Sequence, residues 1–204
     1  MEIDFSEYKL RSELRGHEDD VRGICVCGNA GIATSSRDRT VRLWSLEGQK
    51  YAASRILLGH TSFVGPLAWI SPNEEFPEGG VVSGGMDTLV LVWDLRTGEK
   101  VQTLKGHQLQ VTSVALDGGD IVSASVDCTL RRWRNGQPTE SWEAHKAAIQ
   151  AVIKLPSGEL VTGSSDTTLK LWRGSKCTRT FVGHTGLGDG KVLCFLCAYL
   201  IQNT

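Results

Sequence analysis

The stretch that decides the fold is Thr162-Gly-Ser-Ser-Asp166-Thr-Thr-Leu-Lys-Leu-Trp172, because three variants of it occur earlier in the 204-residue chain. These copies run from Thr34 to Trp44, from Ser83 to Trp93 and from Ser123 to Trp133. In every copy a Ser or Thr stands four residues before an Asp, and a Trp stands six residues after that Asp. Such regular recurrence indicates an internal repeat, each copy of which is one structural unit.

A second signal lies upstream of each copy and consists of a small residue followed by His. It occurs at Gly16-His17, Gly59-His60, Gly106-His107 and Ala144-His145, and again at Gly183-His184. Successive histidines are 43, 47, 38 and 39 residues apart. A period near 40 residues with Gly-His, and with the Trp-Asp pair seen at Trp93-Asp94, is typical of a four-stranded propeller blade. On these residues the chain resembles WD40-repeat proteins.

The repeats predict an all-β fold, a WD40-type β-propeller that is incomplete, with about four blades. Residues 1–185 would form the repeat region, with a closing strand at 8–14 and blades at 15–58, 59–105, 106–143 and 144–182. Alternating apolar and polar residues favour the strand at 8–14. Residues 186–204 are expected to be a divergent apolar tail outside the repeats, because no Ser or Thr, Asp and Trp set follows His184.

Aliphatic residues recur at fixed distances from the His and the Asp, which predicts the core of each blade. Four residues after the His stand Val21, Val64, Val111 and Ile149, and seven residues after it stand Ile24, Leu67, Val114 and Val152. Three residues after the Asp stand Val41, Val90, Leu130 and Leu169. Arg132 interrupts a neighbouring apolar column, and its stem is expected to cover apolar surface while its head reaches solvent or a carboxylate. Blade 2 is lengthened by an insertion at residues 71–80, and the acidic character and two prolines of this insertion predict a surface loop.

Composition limits the kinds of partner. The formal net charge is −1, which does not provide the basic surface that nucleic acid binding requires. Six cysteines are too few for a disulfide scaffold, and the start of the chain lacks an apolar signal segment, so we expect a cytoplasmic or nuclear location. The ten apolar residues from Val192 to Ile201 are too few to span a bilayer, so no membrane association is expected.

Each repeat carries a His, a Ser or Thr and an Asp, the residue types of hydrolytic triads. Because the set occurs four times and Ser alternates with Thr, we interpret it as a structural hydrogen-bond network and not as a catalytic site. The residues predicted for this network are His17, Thr34, Asp38 and Trp44; His60, Ser83, Asp87 and Trp93; His107, Ser123, Asp127 and Trp133; and His145, Thr162, Asp166 and Trp172. The histidines lie one per repeat and cannot converge on a metal, so no enzyme activity, metal or cofactor is predicted.

Several stretches resemble the phospholipase A-2-activating protein family, ubiquitin-binding cofactors of a hexameric AAA ATPase. They are Leu14-Arg-Gly-His-Glu-Asp-Asp-Val-Arg-Gly23, Ser36-Arg-Asp-Arg-Thr-Val-Arg-Leu-Trp44, Gly59-His-Thr-Ser-Phe-Val64 and Trp172-Arg-Gly-Ser-Lys-Cys-Thr-Arg-Thr-Phe-Val-Gly-His184. The resemblance implies a seven-bladed propeller that binds ubiquitin, of which this chain would be a truncated form. It also implies docking to the AAA ATPase, but only in a longer form with the family's C-terminal domains.

The expected function is therefore a non-catalytic protein-interaction module, with ubiquitin or ubiquitinated protein as partner, in ubiquitin-dependent degradation and ubiquitin recycling. The alternative is a generic WD40 scaffold subunit of another multiprotein complex. The residues just before each turn Asp and three after each His should lie at the narrow end of the ring. Those we predict to bind a partner are Asp20, Arg37, Phe63, Met86, Gln110 and Val126.

Overall fold

The structure is a computed structural model that describes Leu10 and residues 12–47 and 50–183. In these residues lie sixteen β-strands and a short 3-10 turn at Gly28–Ala30. The strands form four antiparallel sheets of four strands each, and neighbours in each sheet are neighbours in sequence. The predicted all-β class with four propeller blades is therefore confirmed.

Each blade consists of an inner strand followed by three strands that lie progressively outward. Blade 1 contains β1 (Val21–Val26), β2 (Ile32–Ser36), β3 (Thr40–Glu47) and β4 (Lys50–Leu58). Blade 2 contains β5 (Val64–Ile70), β6 (Gly80–Gly85), β7 (Val90–Asp94) and β8 (Lys100–Leu104). Blade 3 contains β9 (Val111–Asp117), β10 (Asp120–Ser125), β11 (Thr129–Arg134) and β12 (Gln137–Glu143). Blade 4 contains β13 (Ile149–Lys154), β14 (Leu160–Ser164), β15 (Thr168–Arg173) and β16 (Lys176–Val182).

Tight hairpins fix these sheets, and blade 3 shows why the sequence forms them. Asn135-Gly136 joins β11 to β12, and both residues have positive φ, 49° and 76°. Two consecutive positive φ values match the right-handed twist of the flanking strands, and Asn-Gly adopts them at low cost. The sequence therefore specifies both the position of this turn and the register of the strands beside it.

The blades pack face to face, and their apolar faces form the core. Three clusters of buried side chains lie between blades 1 and 2, blades 2 and 3, and blades 3 and 4. Val64, Val111 and Ile149, which begin the inner strands of blades 2 to 4, are fully buried in these clusters. Each such side chain contributes about 1.5 to 3 kcal/mol through burial. Stacking of blades is thus the main source of stability.

Blade 1 departs from the predicted core. Val21 and Ile24 occupy the same repeat positions as buried residues of the other blades, but they are 57% and 69% exposed. The prediction that they are core residues is wrong for this blade. The reason is that each inner strand is covered by the blade preceding it, and no described residues form a blade before blade 1.

The predicted closing strand at 8–14 is not observed where the structure describes it. Leu10 and residues 12–14 are irregular, and the other positions of this segment lie outside the described residues. A strand needs a neighbouring strand with which to form hydrogen bonds, and none of the four sheets includes these residues. The predicted tail at 186–204 also lies outside the described residues.

Arg132 and the blade 2 insertion are both part of the packed structure. Arg132 Nη1 donates to Asp117 at 2.7 Å and to Asp120 at 3.2 Å, so its head reaches neighbouring carboxylates. The insertion at 71–80 lies between β5 and β6 and places Phe76 in the core between blades 2 and 3. No helix of the described residues is long and apolar enough to cross a membrane.

Candidate functional site

The structure brings each predicted set of four polar residues together inside its own blade. We call each set a hydrogen-bond tetrad. The Trp indole nitrogen lies 2.8 Å from the Ser or Thr hydroxyl in all four blades. The same hydroxyl lies 2.7 to 2.9 Å from His Nε2, and His Nδ1 lies 2.7 to 3.0 Å from the Asp carboxylate.

A β-bulge in the fourth strand lies opposite the Trp of every tetrad. The pairing between the third and fourth strands shifts by one residue immediately before Trp44, Trp93, Trp133 and Trp172. The extra residue of each bulge lies on the fourth strand, whereas the third strand pairs with the second without a shift. From this regular third strand the indole reaches the hydroxyl on the adjacent second strand, ten residues earlier in sequence.

Donors and acceptors run in one direction along each tetrad. The indole N–H can only donate, so in blade 3 Trp133 donates to the hydroxyl of Ser123. The hydroxyl proton is then directed to Nε2 of His107, and Nδ1–H of that imidazole donates to the Asp127 carboxylate. Every buried polar group in the series has a partner, which avoids the cost of burying it unsatisfied.

The carboxylates at the end of the tetrads are held in their ionised form. Burial alone would raise the pKa of the Asp127 carboxyl, but hydrogen bonds from Thr129, His107 and the Gln108 backbone outweigh it and lower the pKa to about 2. The equivalent bonds also hold the pKa of Asp38, Asp87 and Asp166 below the ordinary value. These carboxylates therefore remain negative and acceptor-only throughout the neutral pH range.

The buried imidazoles are held in their neutral form. Burial lowers the pKa of His107 and of His145, and this effect outweighs the opposing influence of the partner carboxylates Asp127 and Asp166. A neutral imidazole has one acceptor nitrogen and one N–H donor, as the direction of the tetrad requires.

Each tetrad has the order of partners found in a hydrolytic triad, but its hydroxyl is buried. Ser83, Ser123 and Thr162 are fully buried and Thr34 is nearly so, because the hydroxyls lie under the indoles that bond them. A catalytic hydroxyl must reach its substrate and lie near an oxyanion hole. The position of these hydroxyls favours a structural role for the tetrads.

A second set of predicted residues lies at the surface, where the second strand of each blade ends. There the residue before the turn Asp donates its backbone N–H to the residue three after the His. The pairs are Arg37 with Asp20 at 2.9 Å, Met86 with Phe63 at 2.8 Å, and Val126 with Gln110 at 3.0 Å. We call the surface formed by Asp20, Arg37, Phe63, Met86, Gln110 and Val126 the turn face.

Side chains from three blades meet in the turn face. The Arg37 guanidinium of blade 1 lies 5.4 Å from the centre of the Phe63 ring of blade 2. Arg37, Phe63, Met86 and Gln110 line one cavity of about 240 Å³. Phe63 and Met86 are 41% and 50% exposed, so the cavity presents apolar surface to solvent.

The remaining predicted residues contact residues that line this cavity, and three lining residues were not predicted. Asp20 forms an ion pair with Arg37 at 3.2 Å, and Val126 is half-buried beside Gln110. Arg22 on β1, with Val64 and Gly65 at the start of β5, also lines the cavity, and none of the three was predicted to bind a partner. The pairing of β1 shifts between Val21 and Gly23, and this bulge breaks the alternation by which the sequence could have indicated Arg22.

The part of the chain that the structure describes contains no group of three or more His, Cys, Asp or Glu side chains that could hold a metal ion. Cys25, Cys27, Cys128 and Cys177 are free thiols. The turn face offers a partner the apolar surface of one aromatic side chain, Phe63, and one thioether side chain, Met86. Arg22, Arg37 and Gln110 can donate hydrogen bonds around this apolar surface. Such a surface can bind a partner without chemical change.

Comparison with known proteins identifies relatives of this chain. A family model described as WD domain, G-beta repeat matches residues 8–45, 53–94, 98–134 and 136–173. The chain is 36% identical over 155 residues to phospholipase A-2-activating protein of Xenopus laevis and 33% over 145 residues to protein DOA1 of Saccharomyces cerevisiae. It is 31% identical over 133 residues to ubiquitin homeostasis protein lub1 of Schizosaccharomyces pombe.

These alignments cover most of this chain but a small part of each relative. They include 73%, 70% and 65% of the chain, and 19%, 19% and 18% of the respective relatives. The chain therefore spans about a fifth of the length of the curated relatives it matches.

Proposed function

Because the chain belongs to the WD40 family of WD domain, G-beta repeat proteins, we propose that it is a non-catalytic interaction module that binds ubiquitin through the turn face. WD40 repeats form a protein-interaction scaffold, and the turn face of this scaffold combines two exposed apolar side chains of blade 2, Phe63 and Met86, with polar side chains of the adjacent blades. Ubiquitin-dependent degradation and ubiquitin recycling are the processes in which we place it.

The observation that carries the proposal is the exposure of Phe63 and Met86 in one cavity with Arg37. A protein surface normally exposes single apolar residues without consequence, whereas clustered ones beside polar groups favour a binding site. Aromatic, Met and Arg side chains are also enriched where proteins bind one another. The ion pair with Asp20 and the contact with Phe63 hold Arg37 in place before a partner arrives.

Ubiquitin is proposed as the partner because of the relatives. One of them is named ubiquitin homeostasis protein, and part of that protein aligns with 65% of this chain. The alignment with phospholipase A-2-activating protein covers a larger part of the chain at higher identity. The name of the lub1 protein supports a ubiquitin-related role for the blades that this chain shares with it.

The test is titration of ¹⁵N-labelled ubiquitin with the purified chain and with the variants Phe63→Asp and Met86→Asp. We expect saturable shifts with the unaltered chain and binding about tenfold weaker or more in each variant, because a buried carboxylate replaces an apolar contact. Val101→Asp is the matched control, since Val101 is also exposed but lies on the outermost strand of blade 2.

Circular dichroism must show that the variants keep their strand content. Equal ubiquitin affinity in folded Phe63→Asp and Met86→Asp proteins would contradict the role of the turn face. Absence of any ubiquitin binding by the unaltered chain would contradict the ubiquitin proposal and leave a scaffold for another complex.

The non-catalytic part of the proposal has its own test. The hydroxyls of Ser83 and Ser123 are buried and already bonded to an indole and an imidazole, so a fluorophosphonate probe should not label them. Mass spectrometry of probe-treated, folded protein would detect a label. A phosphonylated tetrad serine would contradict the structural assignment.

A further inference from the structure

The insertion of blade 2 is an ordered wall and not a loose loop. The Asn73 side-chain carbonyl accepts the backbone N–H of Phe76 at 2.8 Å, and the Phe76 carbonyl accepts the N–H groups of Asn73 and Gly79, each at 2.9 Å. The Phe76 ring is buried among residues of blades 2 and 3. This anchor fixes the loop against the rest of the molecule.

The wall forms one side of a groove of about 470 Å³ between blades 2 and 3, which we call the side groove. Ile70, Leu116 and Trp133 contribute to its apolar floor. The other side is formed by the hairpin turns of blade 3 at Gly119 and Gly136, both with positive φ. Because glycine has no side chain, these turns leave the mouth of the groove open. A volume of this size lies within the usual range of about 300 to 1,000 Å³ for ligand sites.

The rim of the side groove is acidic. Glu74 and Glu75 lie on the wall with exposed side chains, and they are the charged groups among the described residues that line the groove. Gln102 donates to the Glu75 carboxylate at 3.3 Å, which holds that carboxylate beside the opening. No Lys or Arg among the lining residues that the structure describes neutralises this charge.

We propose that the side groove is a second docking site, which takes a peptide segment with a bulky aliphatic side chain next to Lys or Arg. The aliphatic group would enter over Ile70 and Leu116, which are half-buried, and remove their remaining apolar surface from water, while the cation would lie against Glu74 and Glu75. The carboxamide oxygen of Gln102 can accept a hydrogen bond from the peptide backbone. The side groove shares no residue with the turn face, so the proposal is independent of ubiquitin binding.

The experiment uses fluorescence polarisation of a labelled nine-residue peptide, GSKLRIKSG, and of its acidic counterpart GSELEIESG, with the whole chain. Saturable binding of the basic peptide, weakened by raising the salt from 50 to 300 mM, is expected, with little binding of the acidic peptide. Reversing the rim charge in the double variant Glu74→Lys and Glu75→Lys should weaken the basic peptide about tenfold or more. Gln102→Trp, which fills the groove with an indole on an edge strand that tolerates it, should weaken the peptide similarly.

Glu99→Lys is the matched control, because Glu99 is exposed outside the groove, and it should change the affinity little. Circular dichroism of the rim and Gln102→Trp variants, which should match that of the unaltered chain, confirms that the blades are intact. The proposal is overturned if the basic peptide does not bind, if both peptides bind equally, or if binding is the same in the folded rim and Gln102→Trp variants as in the unaltered chain.

Discussion

At the scale of single residues, the hydroxyl in each tetrad bonds two side chains, an indole and an imidazole, that have no alternative hydrogen-bond partner for the same atoms. Ser123 accepts from the indole of Trp133 and lies 2.8 Å from Nε2 of His107, and all three side chains are buried. Water does not reach this place, so removal of the hydroxyl leaves a donor and an acceptor unpaired. The cost is then set by the groups left behind and not only by the lost bonds.

Ser123→Ala should therefore lower the free energy of unfolding by about 2 kcal/mol, within the range of about 1 to 3 kcal/mol for an unsatisfied buried polar group. Guanidinium unfolding followed by tryptophan fluorescence measures it. Ser175→Ala, at an exposed site in the last hairpin, is the control and should change stability by less than about 0.5 kcal/mol. Equal stability of the two variants would contradict the tetrad's structural role.

The buried imidazoles give stability a pH dependence. The pKa of His107 and of His145 is lowered by burial, so the unfolded chain takes up these protons more readily than the folded one. Stability is then complete above the unfolded-state pKa of about 6.5 and falls as pH drops through it toward the folded pKa. The lowered carboxyl pKa values, such as that of Asp127, add a further loss below about pH 4.

The free energy of unfolding should accordingly be lower at pH 5.5 than at pH 7.5, as measured by guanidinium unfolding at fixed ionic strength. A variant with both His107→Gln and His145→Gln should be less stable at pH 7.5 but should show a smaller drop between the two pH values. Unchanged or higher stability of the unaltered chain at pH 5.5 would contradict neutral, buried imidazoles.

The tetrad and turn-face side chains could be predicted from the sequence because their spacing repeats. The His, Ser or Thr, Asp and Trp positions could be chosen from four copies, and the turn-face residues followed from their offsets to His and Asp. Arg22 was missed because inner-strand positions were read only for their apolar residues. Arg132 pairs with Asp117 and Asp120, and these two partners could not be predicted, because the ion pairs depend on how the strands of one blade align.

At the scale of the secondary-structure element, the turn between the second and third strands of each blade contains a strained residue. Arg39, Thr88, Cys128 and Thr167 directly follow the turn Asp, and each has φ of 69° or 70°. A left-handed conformation costs a residue with a side chain about 1 to 2 kcal/mol, and a β-branched residue is disfavoured there. The Asp side chain stabilises the turn by bonding the backbone N–H two residues on, as Asp87 does with Leu89 at 3.2 Å.

Thr88→Asn should raise the free energy of unfolding by about 0.5 to 1 kcal/mol, because Asn adopts this conformation with less strain. Thr103→Asn is the control: Thr103 lies in β8, where Asn is disfavoured, so stability should fall. Thermal unfolding followed by circular dichroism compares the two. A lower midpoint for Thr88→Asn would contradict the argument that the backbone there is strained.

Strands and hairpins were predictable from alternation and turn residues, but the shape of the insertion was not. Residues 71–80 read as a surface loop because they are acidic and contain Pro72 and Pro77. Phe76 gave the only apolar signal within the loop, and whether it would be buried depended on the space left between two blades. The side groove is a product of that packing.

At the scale of the whole molecule, stacked blades have two end faces. Val21, Ile24 and Val26 on the inner strand of blade 1 are exposed, whereas Val64, Val111 and Ile149, the counterparts of Val21 in the next blades, lie in the core. Phe181 and Val182 are exposed on the outermost strand of blade 4. The repeat predicted which residues face a neighbouring blade, but it could not show that the first such face would be uncovered. Adjacent exposed aliphatic side chains favour association with other surfaces.

The purified chain should therefore self-associate, and replacing Ile24 and Val26 with Lys should shift it toward monomer. Sedimentation velocity at several concentrations measures the distribution. Leu109→Lys is the control, because Leu109 is equally apolar and exposed but lies outside the blade 1 end face. A single monomeric boundary for the unaltered chain at all concentrations would contradict the prediction.

An equivalent tetrad locks each of the four blades, and the six tryptophans of the chain provide a direct test of this equivalence. The indole nitrogens of Trp44, Trp93, Trp133 and Trp172 donate to a hydroxyl, whereas those of Trp69 and Trp142 are buried without an acceptor in the described residues. Hydrogen exchange of the six indole N–H groups in D₂O, followed by ¹H–¹⁵N NMR, should give four slow signals and two faster ones. Six signals of similar rate, or fast exchange in any of the four tetrads, would contradict the claim.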